Sequence, residues 1–468
     1  MSKITFQEPK GTRDFYPEAM AVRRYIEDTW RRVSVRHGFV EVDGPTFEYL
    51  DLYKIKSGDE IVSQLFCLDS RPDKEGKVEH FALRPEFTPT VARMIAAKAN
   101  SLPRPIKWFS IPRCYRGETP QKGRLREFIQ WNVDIFGGET AEVKRQFDLE
   151  SAALLLDCCR EFGLASTDIK LLWNDRTLVE QLFTLAGVPA ERFSLAFYLL
   201  DRIAKLGPEQ LRKIYEDNSL PEHERAFFNH LAQGKDPLLP DFWQGIGAPQ
   251  SGISFENYSH TVTATQQRID ATLATMGLAG FARYDASIVR GLAYYTGFVY
   301  ELSDARGENR AVAGGGRYDR LIEMFGGPAL SAVGFGMGDV VLEILLRESN
   351  KLPERLLPSP DVFVINALED GVAAAELIGK LRASVWDEAS RRITRAGLAT
   401  VTSYKATKNI GKLLQEAAAS GARVAVILGS AEYARGVVKV KDMVTREERE
   451  VPVDGVVEEI RKMGACGA

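Results

Sequence analysis

The chain has 468 residues and is poor in the features that mark cross-linked, exported or membrane-spanning proteins. Its five cysteines, Cys67, Cys114, Cys158, Cys159 and Cys466, show no metal-ligand spacing, and their odd number excludes complete intramolecular pairing. Reduced thiols in a cytoplasmic protein are therefore expected. No apolar run approaches the length that spans a bilayer, and the opening MSKITFQEPKGTRD lacks the basic-then-apolar order of an export signal. Charge of either sign is not in large excess. A net charge of −3 argues neither for nor against nucleic acid, because a local basic patch is sufficient for binding. The run Gly314-Gly315-Gly316 matches neither a P-loop nor a dinucleotide fingerprint. No serine, cysteine or histidine stands out as a nucleophile, which suits reactions where the protein supplies position and charge.

What is present is an ordinary soluble composition, 45% hydrophobic and 27% charged, long enough for two or three domains. The most informative stretch is Arg113 to Gly137, which reads as two strands enclosing an arginine-rich loop. Ile129, Trp131, Val133 and Ile135 alternate with Phe128, Gln130, Asn132 and Asp134, giving a strand with an apolar back and a polar front. That pattern alone also fits an idle half-exposed strand. Arg116, Glu118, Arg124 and Arg126 crowd the turn, however, and such a density of cations calls for an anion or partner.

Along the chain, Lys10, Arg13 and Asp14 of KGTRDFYP read either as surface residues or as part of a site. A helix is predicted from Met20 to His37, with Val22, Ile26, Trp30 and Val33 on one face and Gly38 as its C-terminal cap. FVEVDGPTFEYLDLY reads as an edge strand interrupted by Pro45. FALRPEFTPTVARMIAAK predicts a strand, a turn with Arg84 and Glu86, and a helix with Thr88 as N-cap and Pro89 at its first position. Glu86 there is either a capping carboxylate or a ligand for an ammonium group. A helix is predicted over 139–163, then a small helical insertion over about 174–260. Residues 284–302 and the glycine-rich AVAGGGRYD and VGFGMGDVVLEILLRE return to strand character. A Pro-containing linker at 346–360 separates a body over 1–345 from a small α/β domain over 361–468. In that domain a long helix is expected to reach about Ala396. Its Lys405, Lys408 and Lys412 are either a nucleic-acid face or solvated lysines.

Arginines between strands suit a polyphosphate, while Gln130, Asp134 and Glu86 suit an ammonium and a second polar group. The order KGTRDFYP, LRPEFT, RGETPQKGRLREF, VRGLAYYTG, GGGRYD, AVILG and VKVKDM resembles the histidyl-tRNA synthetase family of class II aminoacyl-tRNA synthetases, over essentially the whole chain. The resemblance implies an α+β fold: an antiparallel class II catalytic sheet with a helical insertion, plus a C-terminal α/β anticodon-binding domain. It implies ligation of L-histidine to tRNA(His) with ATP, magnesium accompanying the phosphates with no metal held by protein side chains, and a homodimer joined through the strand with Pro45. By the same match Arg116 and Arg290 would act at the α-phosphate, Glu118 at the adenine and Arg124 at the distal phosphates. Glu86, Thr88 and Gln130 would hold the histidine α-amino group. Asp134 and Tyr295 would read the imidazole, Tyr294 would also contact the histidine, and Tyr318 with the glycines before it would close the pocket. Thr119 and Gln121 would meet the tRNA acceptor end.

The chain departs from the family pattern at three points. Val341 stands where an adenine-stacking arginine is expected, Ala293 where an aspartate is usual, and Thr119 where the loop commonly has arginine. Arg347 lies six positions on from Val341, about 240° away around a helix, and is a poor substitute. The alternative is a silent histidine-sensing paralogue such as a regulatory subunit of ATP phosphoribosyltransferase; the C-terminal domain and the retained phosphate clamp weigh against it.

Overall fold

The structure, a computed structural model, describes residues 6–56, 63–203, 206–247, 252–288, 295–307 and 309–464. Its organising element is the ten-residue strand Glu127–Phe136, whose strict alternation produces two different faces. Ile129, Trp131, Val133 and Ile135 are all buried in the main core. On that back face Trp131 stacks on Trp30 of the helix Pro17–Arg36, with ring centroids 5.9 Å apart, and its indole N–H donates to Ser34 Oγ at 3.0 Å. A buried indole needs such a partner, because an unmet N–H would forfeit its hydrogen bond to water.

This strand lies inside a nine-stranded sheet. The path runs Val40–Glu41, Ile106–Ser110, Glu127–Phe136, Ala332–Gly338, Ala313–Arg317, Phe298–Asp304, Ile169–Asp175 and Ala282–Tyr284, with Arg113–Tyr115 pairing beside Glu127–Phe136. Every interior pairing is antiparallel, and only the two outermost strands add in parallel. The helix Ala141–Glu161 covers the back and is pinned by a buried ion pair: Arg317 Nη2 lies 2.6 Å from Asp148 Oδ1, and Arg317 Nη1 donates to Ser331 Oγ at 2.5 Å.

Helices Arg176–Leu185, Phe193–Arg202, Pro208–Asp217 and Glu222–Ala232 follow the strand Ile169–Asp175. The helical character continues past residue 260, through Phe255–Thr275. Gln266 on that last helix accepts from Trp173 Nε1 at 2.8 Å and from the Tyr284 amide at 2.7 Å, so the insertion shares its core with the sheet.

A second compact unit begins at Leu357. Its sheet orders Thr400–Thr402, Val362–Asn366, Val424–Leu428, Val437–Asp442 and Glu448–Pro452, the first three parallel and the rest antiparallel. One expectation fails here. The helix predicted to reach about Ala396 stops at Arg382, and Val385–Asp387 pairs with Arg392–Arg395 as a hairpin. Val385, Trp386, Ile393 and Thr394 favour extended backbone. The Asp387 carboxylate accepts from the Ser390 amide at 2.7 Å, which sets the turn. At the hairpin's base only glycine fits at position 397, where a Cβ would lie 2.0 Å from the Arg382 carbonyl oxygen.

Trp131→Ala removes the seam between sheet and first helix. It is expected to cost about 3–5 kcal/mol, read as a fall in the urea midpoint. A cost below about 1 kcal/mol would show that the seam does not carry the core.

Candidate active site

The front face is floored by four glycines in a square. Gly314 pairs with Gly336 and Gly316 with Gly334 across adjacent strands. Side chains could not stand there: a Cβ at Gly334 would lie 2.5 Å from Asp134 Oδ1 and 3.0 Å from the Tyr318 hydroxyl, and one at Gly316 would lie 2.9 Å from the Tyr295 ring. The empty floor is the space a ligand can use.

At one end of the floor, the Tyr318 hydroxyl donates to the buried Asp134 carboxylate. The Tyr295 ring lies 6.5 Å from that of Tyr318. These three residues, far apart in sequence, form a polar-tipped aromatic cluster of the kind that suits a small heterocycle with N–H donors. Gln130 lies along the same strand, its amide nitrogen 2.8 Å from where a Gly336 Cβ would be. Cys114 Sγ sits 3.8 Å from Gln130 Oε1. Burial pushes the Cys114 thiol up to about 12, so it is a neutral packing group and not a nucleophile.

At the other end is the arginine hairpin. Arg124 and Gln121 exchange backbone hydrogen bonds across Lys122 and Gly123, and Gly123 takes the positive φ of 78° that closes the turn. The loop's charges are partly neutralised from within: Arg124 Nη1 lies 2.7 Å from Glu118 Oε2, and Arg113 pairs with Glu127. Arg126 Nε donates to the Glu118 carbonyl at 3.3 Å. The crowding of cations is thus offset in part by the carboxylates of the hairpin itself. Arg116 donates from Nε to the Pro85 carbonyl at 3.1 Å and lies over the Phe128 ring at 5.2 Å, which aims it into the cleft from two sides.

The cleft between the two ends is lined by Arg116, Glu118, Arg124, Phe128, Gln130, Gly314, Gly336 and Gly338, together with Arg310, Val340 and Val341. Arg116, Glu118, Arg124 and Gln130 are therefore brought to one place, and Asp134, Tyr295 and Tyr318 cluster beside the same glycine floor. Glu86 follows the Pro85 that anchors Arg116 and is close enough to raise the Cys114 thiol. Thr88 corrects a second expectation. The helix already includes it, over Thr88–Lys98, and no side chain caps its start. The residue before it, Phe87, has near-helical backbone, with its buried ring under Arg84 at 5.5 Å. Arg84 itself is a buried strut donating to Arg113, Asp43 and Gly44. Thr119 and Gln121 stand exposed on the hairpin and do not line the cleft. Arg290, Ala293 and Tyr294 lie outside the described residues.

Phe128 and Arg310 line the cleft and are absent from the residues picked out by sequence. Alternation with Gln130 already placed Phe128 on the front face; Arg310 carried no local signal. Arg347, in turn, is held 2.8 Å from Glu343 on its own helix. Arg13 is resolved as internal scaffold. Its Nη2 lies 2.5 Å from Asp339 Oδ2, and the other oxygen of that buried carboxylate accepts from the Ile129 amide at 2.8 Å. Burial raises the Asp339 carboxyl, and Arg13 opposes the shift.

A glycine-floored antiparallel sheet with an arginine hairpin at one end and a carboxylate–tyrosine pocket at the other defines the catalytic domain of a class II aminoacyl-tRNA synthetase. The profile of the histidyl-tRNA synthetase family matches residues 11–339, and that of an anticodon-binding domain matches 361–463. A histidine–tRNA ligase of Opitutus terrae is 40% identical over 98% of each chain. The chloroplastic and mitochondrial histidine–tRNA ligase of Arabidopsis thaliana is 33% identical over 96% of this chain and 85% of its own. A histidyl-tRNA synthetase structure from a Nostoc species, 22% identical, shares the fold over 98% of this chain and 100% of its own, with a TM-score of 0.68. The chain belongs to the histidyl-tRNA synthetase family and is an aminoacyl-tRNA ligase.

Removing Arg13 strands the Asp339 carboxylate in the core. Arg13→Ala is expected to cost roughly 3–5 kcal/mol. Part of that loss should be recovered in Arg13→Ala/Asp339→Asn, which keeps an acceptor for Ile129 without the charge. Thermal unfolding of both variants measures this, and a double variant no better than the single one would refute the stranded-charge account.

Proposed function

We propose that the chain activates L-histidine with ATP to histidyl-adenylate and pyrophosphate, then transfers histidine to the terminal ribose of tRNA(His), releasing AMP. The observation that carries this reading is the joining, over one glycine floor, of a pocket for a small heterocycle to a clamp of arginines. In the first step a histidine carboxylate oxygen attacks the α-phosphorus. The bond to the bridging oxygen breaks and its electron pair leaves on pyrophosphate. The protein need supply no nucleophile, only alignment and cations where charge develops.

Arg116 and Arg290 act at the α-phosphate, Arg124 at the distal phosphates and Glu118 at the adenine. Glu86, Thr88 and Gln130 hold the α-amino group. Asp134, Tyr294 and Tyr295 read the imidazole, and Tyr318, through its bond to Asp134, fixes that carboxylate. An Asp134 already bonded to a tyrosine hydroxyl is oriented before histidine arrives, which lowers the ordering cost of binding. Thr119 and Gln121, exposed on the hairpin, face the acceptor end of the tRNA. Among the described residues Glu118 is the one carboxylate lining the cleft, and Arg124 already holds it. That donor set does not make a protein-held metal site. Magnesium instead arrives as the counter-ion of the triphosphate, bound to its oxygens.

Two copies of the chain associate through the small sheet Phe47–Tyr49, His80–Leu83 and Cys67–Asp69. What supports this is a run of exposed apolar side chains there and on the adjacent edge, Val40, Phe47, Tyr49 and Leu68. No described helix is long and apolar enough to cross a membrane, and the reaction is assigned to the cytoplasm. The histidine-sensing alternative is not favoured, because the chain carries both the anticodon-binding domain and the arginine clamp.

Histidine-dependent exchange of pyrophosphate into ATP tests the first step, and absence of exchange by folded protein would overturn the reading. Arg116→Ala is expected to lower exchange about 100-fold or more. Calorimetric histidine binding should stay within a few-fold; its loss would make Arg116 a pocket residue. A chain ending at Leu356 is expected to retain exchange and lose tRNA charging, whereas full charging would contradict the role given to residues 361–463.

A further inference from the structure

The family pattern puts a guanidinium over the nucleotide base, yet Val341 occupies its place and Arg347 is tied to Glu343. Arg310 lies on the same side of the cleft. It belongs to the loop leading into the strand Ala313–Arg317, and a Cβ added at Gly123 would be 3.2 Å from Val341 Cγ2 and 3.8 Å from Arg310 Cδ. One point thus touches both side chains. The Arg310 side chain is exposed to the cleft, and among the described residues no hydrogen bond or ion pair holds its guanidinium. The loop beneath it is held firmly. Asn309 Nδ2 donates to Glu348 Oε2 at 2.8 Å and to Asp304 Oδ2 at 3.1 Å, and Lys122 of the arginine hairpin reaches the same Glu348 at 3.0 Å.

Arg310 and Phe128 both line the cleft, and the strand Ala332–Gly338 runs between the two strands that lead to them. Gly338 pairs with Gln130 on one side of the strand Ala332–Gly338, and Met337 pairs with Ala313 on the other. Phe128 lies two residues from Gln130 and Arg310 three before Ala313, so the two reach the cleft from strands on opposite sides of Ala332–Gly338. The walls between them are apolar, from Leu125, Val312, Val340 and Val341, while the phosphate-binding arginines lie on the hairpin side.

We propose that Arg310 supplies the guanidinium that covers the adenine face opposite Phe128, replacing from a neighbouring strand the arginine that Val341 lacks. This rests on the assignment of the cleft to ATP. A guanidinium over a desolvated aromatic face is a favourable cation–π arrangement, and its strength predicts a measurable dependence of nucleotide affinity on Arg310.

The test is calorimetric titration of the full chain with magnesium-ATP and, separately, with AMP, which shares the base and lacks the distal phosphates. Arg310→Ala is expected to weaken both by the same factor, roughly 5- to 30-fold. Histidine affinity and thermal stability should be unchanged, since the side chain is exposed. Arg310→Ala/Val341→Arg is expected to return both affinities to within about threefold of the starting protein. Nucleotide affinities within twofold in Arg310→Ala would overturn the proposal. So would a loss seen with ATP alone, which would place Arg310 at the distal phosphates. Failure of the ATP assignment itself would show differently, as absence of nucleotide binding in the unsubstituted chain.

Discussion

The site depends on a steric constraint more than on any single attraction: nothing larger than hydrogen can stand on the floor of the sheet. A Cβ at Gly316 would come within 2.8 Å of the Phe298 carbonyl, and one at Gly334 within 2.3 Å of the Val133 carbonyl. Two adjacent strands, Ala313–Arg317 and Ala332–Gly338, therefore close up with a bare front, and the functional side chains are displaced to the rim. Asp134 and Gln130 come from one flanking strand; Tyr295 and Tyr318 rise beside the other. The back of the same strands carries Trp131, Val133, Phe335 and Arg317, which supply the burial that a glycine-rich sheet cannot obtain from its front.

Electrostatics then decides how the site holds together. The arginine hairpin is a concentration of positive charge that remains folded because Glu118 and Glu127 lie within it. Arg13 and Asp339 anchor the hairpin's outgoing strand to the helix Asp339–Glu348, and Glu348 at the far end of that helix gathers Lys122 and Asn309. The helix is thus a brace with a charge contact at each end. Its replacement of the expected arginine by Val341 leaves the brace intact and leaves the neighbouring loop to provide a cation.

The unit that begins at Leu357 has its own sheet and its own core, formed by Val362, Val364, Val424, Val426, Val438 and Val440 among others. Its hairpin, Val385–Asp387 with Arg392–Arg395, leaves Trp386 and Ile393 exposed. Helical propensity read through Ala383–Ala396 was overridden there by β-branched and aromatic residues and by a turn set by Asp387. The misreading of Thr88 as a cap has a related cause. The helix start was read from residue type alone, whereas burial of Phe87 draws the preceding residue into near-helical backbone.

Patterns of period two and of helical period were legible in the sequence because they depend on neighbours along the chain. The two-faced strand Glu127–Phe136, the helix ending before Gly38 and the α/β character after residue 361 follow from such local spacing. Arg116, Glu118, Arg124, Gln130 and Asp134 were legible too, since they share one strand pair and a dense motif. Tertiary structure alone could decide which distant residues meet. Arg13 fits a surface or a site equally well in the sequence, and only the tertiary structure brings Asp339 to it. Arg310 belongs to no motif, and it enters the cleft because Ala313–Arg317 pairs with Ala332–Gly338, which pairs with Glu127–Phe136. Strand pairing is non-local: it joins residues nearly two hundred positions apart through hydrogen bonds that carry no mark in the intervening sequence.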